Sequence, residues 1–248
     1  MIFGGQCPPF TVARGALLDD SSAAVLLGGQ PPRSAELLDY IRRARCVAAA
    51  DAGAAAAVAA GRLPDLLVGD FDSLGRDELA ECQRAQAEIC RLPVHKDQTD
   101  GEYLLGKAGQ LPYAWYRRLL IMGGLGGRLD HTLANIFTTL PLAEAGREIC
   151  FCADDMLAFV LAAGDEARQL CLQGFGGLTL SLQSLSPECR RVELSGFEYP
   201  LCGGLSQASS LGISNVIRDD AAVIQLVGGK LLVCLNLPVQ EQNGRIPG

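Results

Sequence analysis

Positive charge is scarce in this chain: 21 lysines and arginines stand against 28 acidic residues in 248, a formal net charge of -7. A sequence-independent grip on nucleic acid needs clustered cations to neutralise phosphates, so no nucleic-acid partner is expected and any anionic ligand must be held locally. Long apolar runs are also missing. No stretch reaches the roughly 18 apolar residues of a membrane span, and the opening MIFGGQCPPFTVARGALLDD lacks the charged start and continuous apolar core of a secretory signal. The expectation is a cytoplasmic protein without a membrane partner.

Two histidines leave little for a zinc site. The ten cysteines include no CxxC pair; Cys46, Cys82, Cys90, Cys150, Cys152, Cys171, Cys189 and Cys234 lie singly among apolar or helical residues. They read as reduced thiols serving as small core hydrophobes. There is no internal repeat, no Pro- or Ser-rich linker, and no dinucleotide fingerprint.

What is present is an apolar fraction of 49%, ample for a buried core. From about residue 23, short apolar runs ending in Gly or Asp alternate with helix-like segments: AAVLLGG, SAELLDYIRRA, CVAAADAG, AAAAVAAG, DLLVGD, and so on to EICFCADD. Such alternation predicts a parallel sheet with helices on its faces. After about residue 155 the segments ARQLCLQ, LTLSLQSL, RRVELSGF, AAVIQLVGG and KLLVCLNL are strand-length and separated by turn residues, which predicts an all-β sandwich or barrel. The first 20 residues and the tail EQNGRIPG read as frayed ends.

Three motifs carry chemistry. In GDFDS (69 to 73), Asp70 and Asp72 follow the strand pattern DLLVG, at the edge where open α/β sheets bind ligands. Two carboxylates on one face repel unless a cation lies between them, and magnesium suits a few carboxylates plus phosphate oxygens. In KDQTD (96 to 100), Thr99 followed by Glu102 forms a capping box before GEYLLGKAG. Capping leaves Lys96, Asp97 and Asp100 unexplained, and a helix entrance with a cation and a further carboxylate suits a metal-bound phosphate.

GGLGGRLDH (123 to 131) follows the strand RRLLIMGG and precedes a helix. Its glycines allow close backbone approach to phosphates, and Arg128 offers a bidentate donor. It is not a Walker A loop, since no Lys followed by Ser or Thr ends it, and Leu129 stands where GxGxxG needs its third glycine. Weaker signals are DAG (51 to 53), where Asp51 can accept from a ribose or base and Gly53 allows close approach, and the pair Gly28 and Gly29. In the second half Ser214 and Asn215 are polar residues in an apolar, glycine-bearing context, and Tyr199 in GFEYPL is either a packing residue or an aromatic plate.

The order DAG, GDFDS, KDQTD, GGLGGRLDHTLAN, GFEYPL, GISN resembles the thiamin pyrophosphokinase family over roughly residues 23 to 237. The resemblance implies a Rossmann-like α/β domain with helices on both faces of its parallel sheet, residues 21–153, followed by a β-sandwich domain, residues 154–240, that binds thiamin and dimerises. It implies transfer of pyrophosphate from ATP to the thiamin hydroxyl, giving thiamin diphosphate and AMP. Asp70, Asp72 and Asp100 would hold Mg2+ on the phosphates, and Lys96 and Arg128 would neutralise the transferred group.

On the same basis Asp51, Gly53, Ser73, Asp97, Thr99, Asp130, His131 and Asn135 would border the nucleotide. Thiamin would lie between the α/β domain of one subunit and the β domain of the other in a homodimer, near Tyr199, Ser214 and Asn215. Many members carry Trp where this chain has Tyr199. A pyrophosphoryl transferase acting on another heterocyclic alcohol, such as a pterin, and a non-catalytic nucleotide or thiamin sensor remain as alternatives.

Overall fold

The computed structural model describes residues 9–72, 74–94, 97–110 and 113–238. The chain begins with β1 (Phe10–Ala13) and then alternates β2 (Ser22–Leu26), α1 (Ala35–Arg43), β3 (Val47–Ala50), α2 (Gly53–Ala59), β4 (Leu66–Gly69), α3 (Arg76–Arg84), β5 (Glu88–Arg91) and α4 (Asp100–Ala108). After a 3-10 turn at Tyr113–Trp115 come β6 (Arg118–Met122), α5 (Leu129–Thr138), α6 (Leu140–Glu144) and β7 (Glu148–Ala153). The rest is strand: β8 (Met156–Ala163), β9 (Arg168–Gln173), β10 (Thr179–Ser184), β11 (Glu188–Ser195), β12 (Cys202–Ser206), β13 (Asn215–Val216), β14 (Ala221–Val227) and β15 (Gly229–Asn236). No helix among the described residues is long and apolar enough to cross a membrane.

β2, β3, β4 and β6 are buried at every position, as strands covered on both faces must be, and apart from Ser22 and Arg118 at the first positions of β2 and β6 they carry no polar side chain. Helices close those faces. On α1, Leu37, Tyr40 and Ile41 turn inward while Glu36 and the pair Arg42 and Arg43 sit at the ends that suit their charges. Ser34 caps it, its Oγ accepting from the Leu37 N–H at 3.3 Å.

A ten-stranded sheet runs in the order β13-β10-β15-β8-β7-β6-β2-β3-β4-β5. Strands β2 to β7 are mutually parallel, with β2 between β3 and β6. The chain therefore leaves β2 toward one edge and returns on its other side at β6. That reversal opens a crevice at the carboxyl ends of β2 and β6.

β8 turns back antiparallel on β7, pairing Ile149 with Val160, so the sheet continues without a break into the β half. A second sheet, β1-β9-β14-β11-β12, packs over that continuation to complete the two-layer arrangement. The described cysteines are all free, and Cys46, Cys82, Cys150, Cys152 and Cys189 are buried among apolar residues.

The amino-terminal segment departs from the expectation of a frayed end. β1 pairs in parallel with β9, Phe10 opposite Leu170, and Phe10 and Val12 point into the core. Phe10 meets Phe159 edge-on at 5.6 Å between centroids. The Arg118 guanidinium, itself buried, donates to Thr11 O at 2.9 Å, Leu17 O at 2.8 Å and Glu148 Oε2 at 2.8 Å. Four alternating residues were too few to stand out in sequence, and the partner that holds them lies over a hundred residues away. The tail 241–248 lies outside the described residues.

Candidate active site

The crevice beside β2 and β6 is a cavity of about 600 Å³, within the range of small-molecule sites. It is bordered by the ends of three strands and the starts of two helices. From β2 come Gly28, Gly29 and Gln30; from β3, Asp51; from the α4 entrance, Thr99 and Asp100; from the turn after β6, the glycines 123, 124, 126 and 127 with Arg128; from α5, His131 and Asn135.

Backbone contact fixes the two glycine segments to each other. The Gly29 N–H donates to Gly123 O at 3.1 Å, and a Cβ on Gly29 would stand 2.3 Å from that oxygen. Asn135 Nδ2 donates to Gly124 O at 3.0 Å and holds the same turn from the α5 side. The glycines thus serve first to bring strand ends together, and the wall they leave is bare backbone.

Carboxylates form the opposite wall. Asp51 follows β3 with φ of 40°, a conformation uncommon for a residue with a side chain, and its Oδ1 accepts from the Phe71 N–H at 3.3 Å. Its carboxyl is pushed up from 3.8 to about 7, first by burial, then by the hydrogen-bonded Asp100 carboxyl beside it, with the Asp70 charge adding to the effect. Three acidic residues from three separate motifs therefore converge. Phe71, between Asp70 and Asp72, is also left-handed at φ 65°. Such strain gathers where a site fixes the backbone.

The α4 entrance bears out the Thr99 half of the capping box: Thr99 Oγ1 accepts from the Glu102 N–H at 3.1 Å, while the Glu102 side chain accepts from Gln98 Nε2 at 3.1 Å. Asp100 is the first residue of the helix and turns toward Asp51. Asp97 is exposed and does not border the cavity. Asp72 is exposed as well, its N–H donating to Asp70 Oδ1 at 3.2 Å. Ser73 and Lys96 lie outside the described residues.

At the start of α5, Arg128 is already paired. Its Nε and Nη2 donate to the two Asp130 oxygens at 3.1 and 2.5 Å, and this guanidinium holds the Asp130 carboxyl down at about 2. Both side chains are exposed, so the pair contributes little to stability. Arg128 and His131 border the cavity; Asp130 stands just outside it.

Gly53 does not border the cavity either. Its missing Cβ answers to the strand behind it, since a Cβ there would stand 2.3 Å from Leu26 O. Gln30 was not singled out in the sequence, although it follows the Gly28 and Gly29 pair at a strand's carboxyl end. That is the same placement that drew attention to Asp51 and Asp70.

The β-half residues form a separate group. Asn215 is buried; its Oδ1 accepts from the Tyr199 and Val216 N–H groups at 3.1 and 2.8 Å, and its Nδ2 donates to Tyr199 O at 2.7 Å. Its amide is committed to holding the Tyr199 backbone, while the Tyr199 ring projects into solvent at 60% exposure. Ser214 is exposed and left-handed at φ 60°, its N–H donating to Ser181 Oγ at 3.0 Å. β13 lies at the sheet's far edge, five strand spacings from β6. At about 4.8 Å per spacing, roughly 24 Å of sheet separates this group from the glycine turn after β6.

Comparison with known proteins agrees with this geometry. The family model described as "Thiamin pyrophosphokinase, catalytic domain" matches residues 37–151, the stretch that supplies most of the cavity wall. Thiamine pyrophosphokinase of Bacillus subtilis is 24% identical over 216 residues, covering 84% of this chain and 95% of its own length. The crystal structure of that Bacillus subtilis protein superposes with a TM-score of 0.73 at 22% identity, over 88% of this chain and 99% of its own. Thiamin pyrophosphokinase from Candida albicans gives 0.71 at 14% identity, with 96% of each chain covered. The family's catalytic-domain pattern thus lies on the residues that build the crevice, and the chain shares its fold with solved thiamin pyrophosphokinases.

Proposed function

We propose that this chain transfers the terminal pyrophosphoryl group of ATP to the hydroxyethyl oxygen of thiamin, giving thiamin diphosphate and AMP. The observation that carries the reading is the meeting of Asp51 and Asp100 at one wall of a cavity whose other wall is glycine backbone, with Asp70 just outside it and near enough for its charge to act on Asp51. A polyphosphate needs cationic charge on one side and close, side-chain-free backbone on the other.

The donor set fits Mg2+. All the groups are hard carboxylate oxygens, and the Asp51 and Asp100 side chains lie within hydrogen-bonding reach of each other. Among the described residues no three such side chains stand together at ligand distance, so the proposed carboxylates would have to draw together on the ion. Asp70, Asp72 and Asp100 are the proposed ligands. Bound there, the ion would neutralise charge on the phosphates.

The chain's own groups do the rest. Arg128 exchanges the Asp130 carboxylate for phosphate oxygens of the same bidentate geometry. Lys96, Ser73, Asp97 and Thr99, from the motifs GDFDS and KDQTD, are proposed to complete the phosphate site. The α4 amino terminus adds a favourable dipole for an anion, and the backbone at Gly53 lets α2 sit against β2 behind the nucleotide. Asp130, His131 and Asn135 border the nucleotide from α5. Phosphoryl transfer of this kind rests on positioning and charge neutralisation more than on a strong base. Asp100 is the proposed group to orient the thiamin hydroxyl.

The acceptor site is proposed at Tyr199 and Ser214, held by Asn215, in a homodimer where each active site takes its β-half wall from the partner. Support comes from the roughly 24 Å of sheet between the two groups within one chain. It also comes from two exposed apolar sets. Leu129, Leu133 and Phe137 form one stripe along α5 beside Arg128, and Tyr199, Leu211 and Ile213 form another beside Ser214. A cytoplasmic setting is part of the same reading, since it would keep the free thiols reduced.

The test is incubation with thiamin, ATP and Mg2+, followed by detection of thiamin diphosphate and AMP. Asp100→Asn should bring turnover below about 1% of the parent while the protein stays folded. A folded parent protein that forms no AMP, or forms it only with a pterin alcohol, would remove thiamin as the acceptor.

A further inference from the structure

A second cavity, of about 680 Å³, lies at the same end of the sheet but against the other face, and it shares no bordering residue with the first. It is enclosed by the turn after β1, the first turn of α1, the β7–β8 turn, Phe175 and the end of β15. Its floor is apolar: Leu17, Leu37, Leu157 and Phe175 present core side chains, with Leu237 beside them.

Arg14 and Arg33 stand at its rim, both exposed. Among the described arginine side chains other than these two, each donates to a carboxylate or a backbone carbonyl. Arg14 and Arg33 have no such side-chain partner there. The two carboxylates at the rim are, by contrast, engaged. Asp154 accepts from the Arg33 and Ser34 N–H groups at 3.0 and 2.9 Å, and Glu36 accepts from Tyr40 Oη–H at 2.7 Å. Asp154 thereby answers the α1 amino terminus, so any preference of this cavity for an anion must come from the arginines.

In a chain of net charge -7 whose other described arginine side chains are paired, two unpaired guanidiniums over an apolar floor form a site of definite chemistry. We propose that this cavity binds a small amphipathic anion, with one carboxylate or phosphate head held by Arg14 and Arg33 and an apolar body over Leu37, Leu157 and Phe175. The polar requirement is two guanidiniums, which bind planar or tetrahedral oxyanions better than they bind neutral heads. The volume is that of ordinary small-molecule sites. The site is independent of the proposed transfer reaction, whose residues lie in the other cavity.

Calorimetric titration of the full chain with octyl phosphate, octanoate and octanol tests it. At least one anion should bind about tenfold or more tightly than octanol, and which anion wins identifies the head group. Arg14→Gln with Arg33→Gln should erase that preference. Ala35→Trp, at an exposed lining position, should block all three ligands. Arg128→Gln, in the other cavity, should leave the preference for the anion over octanol unchanged. Equal binding of octanol and both anions, no binding of either anion, an unchanged preference in the double variant, or loss of binding in Arg128→Gln would each overturn the proposal.

Discussion

The carboxylate of Asp51 occupies the space that a side chain on Gly69 would need: a Cβ built on Gly69 would stand 1.7 Å from Asp51 Oδ1. Gly69 ends β4 with φ of 152° and Asp51 follows β3, its neighbour in the sheet, so the two strand ends are complementary in shape. Gly69→Ala must therefore expel the Asp51 carboxyl from its place beside Asp100. Thiamin diphosphate formation should fall about a hundredfold or more, in line with misplacement of a positioning group. Gly106→Ala is the control, an exposed helical glycine with open space around its Cβ position. It should leave activity unchanged and stabilise the protein by about 0.5–1 kcal/mol, read from chemical denaturation.

The same carboxyl pair sets a pH dependence. The folded pKa of Asp51 is raised from 3.8 to about 7, so the folded state holds a proton that the unfolded chain has released. This contribution is present below about pH 4 and is lost as pH rises through about 7, so the metal-free protein should melt at lower temperature at pH 8 than at pH 5.5. Mg2+ competes with that proton. Its stabilising effect should be larger at pH 8 than at pH 5.5, measured by thermal unfolding with and without the ion. In Asp51→Asn the difference between the two pH values should shrink in both conditions; an unchanged difference would assign the pH dependence elsewhere.

Much of this was legible in the sequence because it is local. The capping box at Thr99 and Glu102, the buried runs of β2, β3 and β4, and the placement of Asp51, Asp70 and Asp100 at strand or helix ends each follow from a few adjacent residues. What was not legible depends on distant partners. Gly69 reads as the start of GDFDS, and nothing nearby says that its hydrogen faces Asp51. Gly53 reads as a ligand-facing glycine, whereas its neighbour is the β2 backbone. Asn215 reads as a polar residue whose partner is either backbone or a ligand, and its amide is directed to the backbone of Tyr199 and Val216. The strand at Phe10–Ala13 needed β9 and Arg118 to exist.

If each active site is shared between two chains, two inactive variants should rescue each other. Asp100→Asn damages the carboxylate wall, and Ser214→Trp would obstruct the acceptor wall. A heterodimer of the two carries one site with both defects and one with neither. Random reassortment makes half the dimers mixed, so activity should return to about a quarter of the parent value. No recovery after verified subunit exchange would place both walls in one chain. Phe137→Asp, on the exposed stripe of α5, should shift the protein to monomer in sedimentation and lower activity with it.

Arg118 and Glu148 lie at the opposite end of the parallel strands from the catalytic cavity and concern stability alone. Both are buried, and the guanidinium reaches Glu148 and the carbonyls of Thr11 and Leu17 while stacking 5.0 Å over the Phe10 ring. Arg117 also pairs with Glu148 from the solvent side. Removing one partner of a buried pair leaves the other charge without compensation, at a cost of about 3–5 kcal/mol. Glu148→Ala should therefore lower the unfolding free energy by that order, and Glu148→Gln, which keeps an acceptor for Arg118, by less. Because Arg118 is also the tether of β1, hydrogen exchange at Thr11 and Val12 should quicken in Glu148→Ala before the central strands do. Uniform acceleration across β2, β3 and β6 would show instead that the pair supports the whole sheet rather than the attachment of its amino-terminal strand.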